Sequence, residues 1–133
     1  MKRTGFKAPA KRSKKPRKPI KAKSKKRVTH EASPAGQDDK WYLNKVRQLP
    51  CCICQAFDLV QITKTMAHHV FHDRNSTSKT PDREAIPLCD GCHQGDIDTT
   101  KIAIHRQKSL WRQKYGPDHR FTEQTTSAVY NLD

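Results

Sequence analysis

Two pairs of cysteines in this 133-residue sequence have the spacing of metal-binding knuckles. The first pair is Cys51-x-x-Cys54 and the second is Cys89-x-x-Cys92. A two-residue spacer lets both sulfurs of a tight turn reach one ion, and two such pairs complete the tetrahedral coordination typical of structural zinc. Cys52 is the spare, because Cys52-x-Cys54 makes a poorer knuckle. We therefore expect a structural Zn²⁺ bound by Cys51, Cys54, Cys89 and Cys92.

Three histidines lie close to these cysteines in the sequence. His68 and His69 end a predicted strand, and His93 directly follows the second knuckle. Adjacent residues of a strand face opposite sides, so His68 and His69 cannot perform the same task from one surface. One could bind a metal while the other activates water, which is the division of labour that phosphodiester hydrolysis needs. Histidine ligands also admit Zn²⁺ or Ni²⁺, so the residues leave the activating metal open.

The composition limits the chain to one small domain in a reducing compartment. Only 33% of the residues are hydrophobic, so the core is small and a bound metal would supply folding energy that the core lacks. The five cysteines form two pairs and one extra, which suits a metal site better than a disulfide framework. No signal peptide or membrane-spanning stretch is visible, so we expect a cytoplasmic protein, in the host cytoplasm if a phage encodes it.

The excess positive charge is confined to the N-terminus. The formal net charge is +14, and residues 1–27 carry 14 Lys and Arg with no Asp or Glu. Residues 1–36 show no apolar periodicity, so we expect a disordered arm that binds DNA phosphates rather than a membrane. Phe6 and Ile20 alone give no amphipathic face. The candidate DNA-binding residues are Lys11, Arg12, Lys14, Lys15, Arg17, Lys18, Lys25, Lys26 and Arg27.

The remaining residues, 37–133, are predicted to form a single α+β domain. Apolar spacing predicts a helix that begins near Gln37 and ends at Pro50, and another that begins near Thr100 and ends at Gly116-Pro117. The other predicted elements are strands at 57–62 and 66–71, which plausibly pair as a hairpin, a polar loop at 72–84 and a weak helix at 122–132.

The order of these features resembles the HNH (ββα-metal) nuclease motif, in which two strands and a helix bind one divalent ion. The resemblance implies that His69 is the general base, that His68 and His93 are metal ligands, and that Mg²⁺ or Mn²⁺ is the catalytic ion. The middle Asn of the motif is missing from its usual position, where Asp82 stands. Either Asp82 replaces it, or Asn75 reaches into the site, or the role is lost.

A longer set of motifs is similar to the phage recombination-enhancement (Ref) nucleases over about residues 41–120. The resemblance implies a nuclease that acts on DNA in a RecA filament, and it adds His105 as a metal or phosphate ligand. Members of that family commonly have His where Cys92 stands, so either Cys92 or His93 could complete the zinc site. The matching residues are Leu49-Pro50-Cys51-Cys52-Ile53-Cys54, Ala67-His68-His69, Ile86-Pro87-Leu88-Cys89, Cys92-His93-Gln94-Gly95, Ile104-His105, Trp111 and Tyr115-Gly116.

Two other classes of protein fit parts of the pattern. A zinc-ribbon DNA-binding or recombination accessory protein would use the cysteines and leave the histidines structural. An RNA-binding or ribosome-associated protein would need exposed aromatic stacking surfaces, whereas both tryptophans lie on helices predicted to be amphipathic. We expect no small-molecule cofactor, and we expect His72 and His119 to be solvated.

Overall fold

We describe the protein from a computed structural model, which defines residues 5, 16, 19–20, 22–74 and 80–132. This part of the chain has an α+β architecture, as expected, and none of its helices is long and apolar enough to cross a membrane. Short 3₁₀ turns occur at Asp82–Glu84, Asp90–Cys92 and Asp118–Phe121. The regular elements are α1 (Lys25–Ala32), α2 (Pro34–Val46), α3 (Cys52–Ala56), β1 (Thr65–His68), β2 (Ile86–Cys89), α4 (Lys108–Tyr115) and α5 (Thr122–Tyr130).

The sheet consists of β1 and β2, which run antiparallel. Thr65 lies opposite Cys89 and His68 lies opposite Ile86. This register places the second knuckle at the end of β2 next to the start of β1, and it places His68 beside the start of β2. The predicted hairpin between 57–62 and 66–71 is therefore wrong, because the strand that contains His68 pairs with a later segment.

The predicted strand at 57–62 is an irregular segment. Its apolar side chains Val60 and Ile62 are largely exposed, at 76% and 67%, so the alternation in the sequence does not bury one face. The Gln61 side chain holds the segment instead, since its Oε1 accepts from the Cys51 N–H at 2.8 Å. Its Nε2 donates to the Thr65 hydroxyl at 2.9 Å. This side-chain amide thus links the segment to Cys51 and Thr65, and no strand of the described structure pairs with it.

Helices α1 and α2 contradict the expectation of a disordered arm through residue 36. Ser24 caps α1 by accepting from the Arg27 N–H at 3.2 Å, and Ser33 caps α2 by accepting from the Gly36 N–H at 3.2 Å. The two helices meet so closely that a Cβ at Gly36 would collide with the His30 carbonyl. Capping serines and a small residue at the contact therefore order the last part of the segment.

The buried side chains form two adjacent clusters. The smaller one joins α2 to α5 through Tyr42, Val46, Leu49 and Val129. The larger one surrounds the cysteines and includes residues from β2 and α4, so the four cysteines lie inside the main core. Besides the cysteines, its buried members include Trp111, Tyr115, Phe121, Ile53, Ile86, Leu88 and Ile104.

The helix expected from Thr100 begins only at Lys108. The backbone N–H of Ile104 donates to the Cys92 carbonyl at 3.0 Å, and the His105 N–H donates to the His93 carbonyl at 3.0 Å. These bonds hold the segment against the second knuckle and delay the helix. The end of α4 at Gly116 is as predicted, with φ of 89° at that glycine, and the C-terminal helix is confirmed as α5.

Candidate metal centre and catalytic site

The four paired cysteines form one buried cluster. Cys51 directly precedes α3 and Cys54 lies within it. Cys89 ends β2, and Cys92 lies in the 3₁₀ turn that follows. Their sulfur atoms lie within 4.8 Å of one another, and Cys54 Sγ is 3.7 Å from Cys89 Sγ. A tetrahedral ion with Zn–S bonds of about 2.3 Å requires sulfurs about 3.8 Å apart. The cluster could therefore hold a structural metal such as zinc.

The thiols in this cluster affect one another's ionisation. Hydrogen bonds from Cys89 and Cys92 to the Cys51 sulfur lower the pKa of Cys51 to about 2, whereas burial and the neighbouring sulfurs raise the pKa of Cys54 to about 12. One thiolate thus opposes ionisation of the next, and a cation would relieve that opposition. The spare Cys52 lies outside the cluster, and burial raises the pKa of its thiol.

A second group of potential ligands consists of His68, His93 and His105. Each offers a ring nitrogen, and these atoms lie within 4.8 Å of one another. The Nε2 atoms of His93 and His105 are 2.9 Å apart, and Nδ1 of His93 is buried without a hydrogen-bond partner. Burial, followed by the nearby His68 and His105, lowers the pKa of His93 to about 4. Three neutral imidazoles that converge in this way fit a divalent transition metal.

The two groups of ligands share one structural support. Cys92 and His93 are consecutive residues, and the backbone bond from His105 to His93 brings the third histidine to the second. Neither group contains a member of the other, so Cys92 belongs to the cysteine cluster and His93 to the histidine group. This arrangement separates the two roles that the sequence left open at these positions.

His69 has different surroundings from His68. Its side chain is 45% exposed, and its Nε2 lies 2.7 Å from Oδ1 of Asp82. His69 is not part of the histidine group, as expected for the neighbour of a residue at a strand end. Asp82 is thus in contact with the candidate base. This contact is what the first alternative requires, in which Asp82 replaces the missing Asn. Asn75 lies outside the described residues.

Asp118 is a buried carboxylate that the sequence did not identify. It lies in the 3₁₀ turn before α5 and is fully buried. Its Oδ2 is 3.0 Å from His68 Nε2, and it accepts the N–H of Phe71 at 2.8 Å and that of His72 at 3.1 Å. His72 is itself only 2% exposed, so the expectation that it is solvated is wrong. No periodicity or spacing in the sequence links Asp118 to His68, which is 50 residues away.

Two of the candidate DNA-binding residues on α1 lie near this site. Lys26 and Arg27 line a cleft that is also lined by Asp82, the partner of His69. Arg27 is already paired with Glu31 at 3.0 Å, so part of its charge is neutralised. Lys25, also in α1, is a further candidate DNA contact. The other candidates lie outside the described residues: Lys11, Arg12, Lys14, Lys15, Arg17 and Lys18.

His119 resembles His69 in its exposure and pairing but lies elsewhere. Its side chain is 43% exposed, as expected for a solvated histidine, and its Nε2 is 2.9 Å from Asp73 Oδ2. Arg112 also binds Asp73, through two hydrogen bonds. An exposed His–Asp pair is thus not by itself specific to a catalytic site. No family model, curated protein or solved structure matches this chain.

Proposed function

We propose that this protein is a metal-dependent DNA endonuclease of the HNH type. The observation that carries the proposal is the convergence of His68, His93 and His105 beside the end of β1, where the exposed His69 follows. One potential metal ligand, His68, and the candidate general base, His69, are thus consecutive residues at one strand end. A purely structural zinc ribbon would need only the four cysteines.

His69 is the proposed base. Because an ionised Asp82 can only accept, the 2.7 Å contact places the proton of a neutral His69 on Nε2 and leaves Nδ1 unprotonated. Nδ1 can then take a proton from the water that attacks phosphorus, and the carboxylate stabilises the imidazolium that forms. Asp82 would thereby orient the base, which is the role that the resemblance leaves without an Asn.

His68, His93 and His105 are the proposed ligands of the catalytic ion. When bound, a divalent ion supplies positive charge to the scissile phosphate and the leaving oxygen. Three imidazoles suit Mn²⁺, Zn²⁺ or Ni²⁺ better than Mg²⁺, which prefers oxygen ligands. The donor set therefore favours Mn²⁺ over Mg²⁺ among the two ions that the resemblance implies.

DNA is the proposed substrate because of the charge next to the site. The cleft between α1 and Asp82 connects the basic helix to the candidate base, and ten more Lys and Arg precede residue 22. Such cations release counterions from the phosphate backbone. A RecA filament as the physiological form of the DNA is the further proposal that the resemblance to the Ref nucleases supports.

Cleavage of supercoiled plasmid and of single-stranded DNA tests this function. The purified protein is incubated with Mg²⁺, Mn²⁺, Ni²⁺ or Zn²⁺, with and without a RecA filament, and the products are separated on gels. We expect nicking or cutting that depends on the ion added. A protein that binds DNA with one zinc and cuts nothing under any of these conditions would instead be a zinc-ribbon accessory protein.

A further inference from the structure

The buried carboxylate of Asp118 has one side-chain partner and two backbone partners. The backbone N–H groups of Phe71 and His72 donate to it at 2.8 and 3.1 Å, and the third contact is His68 Nε2 at 3.0 Å. Both carboxylate oxygens thus accept a backbone N–H, Oδ2 from Phe71 and Oδ1 from His72, so at the contact with His68 the carboxylate is the acceptor and the ring nitrogen is the donor.

Because the Asp118 carboxylate accepts, the contact determines which nitrogen of His68 carries the proton. The nitrogen that faces Asp118 must carry a hydrogen, so Nε2 is the protonated nitrogen of a neutral His68. Nδ1 then has a free lone pair. His68 is only 1% exposed, and its ring centroid is 5.0 Å from that of His93 and 5.4 Å from that of His105. The free lone pair thus belongs to a ring that packs against both of the other potential ligands.

His72 also lies beside Asp118, but both of its ring nitrogens face backbone groups. Its Nδ1 accepts the N–H of Asp118 at 2.9 Å, and its Nε2 faces the Lys108 carbonyl at 3.3 Å. Both nitrogens are used in bonds to the backbone, so His72 has none left for a metal. Of the two buried histidines beside Asp118, only His68 retains a free nitrogen.

We propose that Asp118 is a positioning residue that holds His68 in the Nε2–H tautomer and so makes Nδ1 the metal-binding atom. The inference rests on the metal site of the proposed function. A carboxylate on the outer nitrogen of a ligating histidine fixes the ring and makes the inner nitrogen more basic. Loss of such a partner typically weakens metal binding about 10- to 100-fold.

The first test needs no variant. Long-range ¹H–¹⁵N correlation spectra of the full chain, with one zinc on the cysteines, report which nitrogen of His68 is protonated. We expect the Nε2–H pattern, and we expect Co²⁺ to perturb the Nδ1 resonance. A Nδ1–H tautomer, or Co²⁺ bound through Nε2, would overturn the role of Asp118.

The second test is a Co²⁺ titration of Asp118→Asn followed by visible absorption. An Asn in this position presents an amide donor, so it must lose a bond to the backbone or turn a donor towards His68. His72→Gln is the matched control, because it disturbs the same buried network and keeps the bond between Asp118 and His68. We expect the Kd for Co²⁺ to rise about 10- to 100-fold in Asp118→Asn and to change far less in His72→Gln.

The outcomes separate this inference from the function on which it rests. Equal losses in both variants would mean that Asp118 only supports the fold, and would overturn the inference alone. Failure of Co²⁺ to bind at the three histidines of the wild-type protein would overturn the metal site, and the role of Asp118 with it.

Discussion

His68 and His69 are neighbours in the chain with unlike surroundings. His68 is buried against Asp118 and packed beside two other histidines, while His69 is half exposed and paired with Asp82. Successive side chains at a strand end point in different directions, so adjacent residues can take different roles: His68 as a metal ligand and His69 as a base. We therefore expect substitutions of these two histidines, and of their carboxylate partners, to have different effects.

Replacing His69 with Ala should abolish cleavage without loss of metal or DNA binding. General-base catalysis contributes about 10²- to 10⁴-fold, so we expect a loss of that size in the cleavage rate. Asp82→Asn should lose less, because the base is still present but less well oriented. His119→Ala is the matched control, since it removes an equally exposed histidine with its own carboxylate partner. Cleavage by His69→Ala at the wild-type rate would refute the assignment.

His72 should make the stability of the protein depend on pH. Burial lowers the pKa of His72, so below the usual histidine pKa of about 6.5 the unfolded chain binds more protons than the folded one. This contribution is therefore favourable at neutral pH and is lost as the pH falls below about 6.5. Urea unfolding at pH 7.5 and 5.5 should show a smaller drop in stability for His72→Gln than for the wild type. An equal drop in both would argue against this origin.

At the element scale, the sequence predicted what short-range rules determine. The knuckles follow from cysteine spacing, the end of α4 follows from Gly116, and α5 was found from its pattern. The partner of β1 could not be predicted, because β2 is short and its pairing depends on contacts across an intervening loop. Segment 57–62 has strand-like composition, but its side chains Val60 and Ile62 stay exposed, and no strand of the described structure pairs with it.

The candidate site was predictable to a similar depth. Residue types and spacing singled out His68 and His93, and the resemblance to the Ref nucleases added His105, but neither revealed how these three side chains are brought together. The bond from His105 N–H to the His93 carbonyl and the carboxylate of Asp118 are long-range contacts without a local signal. Serine is a common N-cap, so Ser24 and Ser33 are compatible with helix starts. The strong basic charge of residues 1–27 nevertheless favoured a prediction of disorder through residue 36.

The shared second knuckle should couple the two metal sites. Cys54→Ser should remove the structural zinc and, because Cys92 and His93 are consecutive, should also weaken Co²⁺ binding at the three histidines. Cys52→Ser is the control, since Cys52 is buried nearby but lies outside the cluster. It should retain one zinc and the wild-type Kd for Co²⁺. Metal analysis combined with Co²⁺ titration checks both, and unchanged Co²⁺ binding in zinc-free Cys54→Ser would contradict the coupling.

At the scale of the whole molecule, the N-terminal charge should act in two parts. Deleting residues 1–21 removes ten Lys and Arg but keeps α1, so DNA affinity should fall and its dependence on salt should become flatter. Deleting residues 1–32 should also reduce cleavage at low salt, because α1 lines the cleft beside Asp82. Binding measured from 50 to 200 mM salt distinguishes the two. Equal salt slopes for the full chain and the 1–21 deletion would count against a DNA-binding arm.

We propose that catalysis depends on the ion at His68, His93 and His105, while the cysteine cluster only supports the fold. The most direct test starts from protein that contains one zinc on the cysteines and adds Mn²⁺ or Co²⁺ stepwise. Plasmid cleavage and occupancy of the histidines are measured on the same samples. We expect no cutting at one zinc per chain and cutting that rises in parallel with histidine occupancy. Cutting by the protein with only its cysteine-bound zinc, or full histidine occupancy without cutting, would refute a catalytic ion at the three histidines.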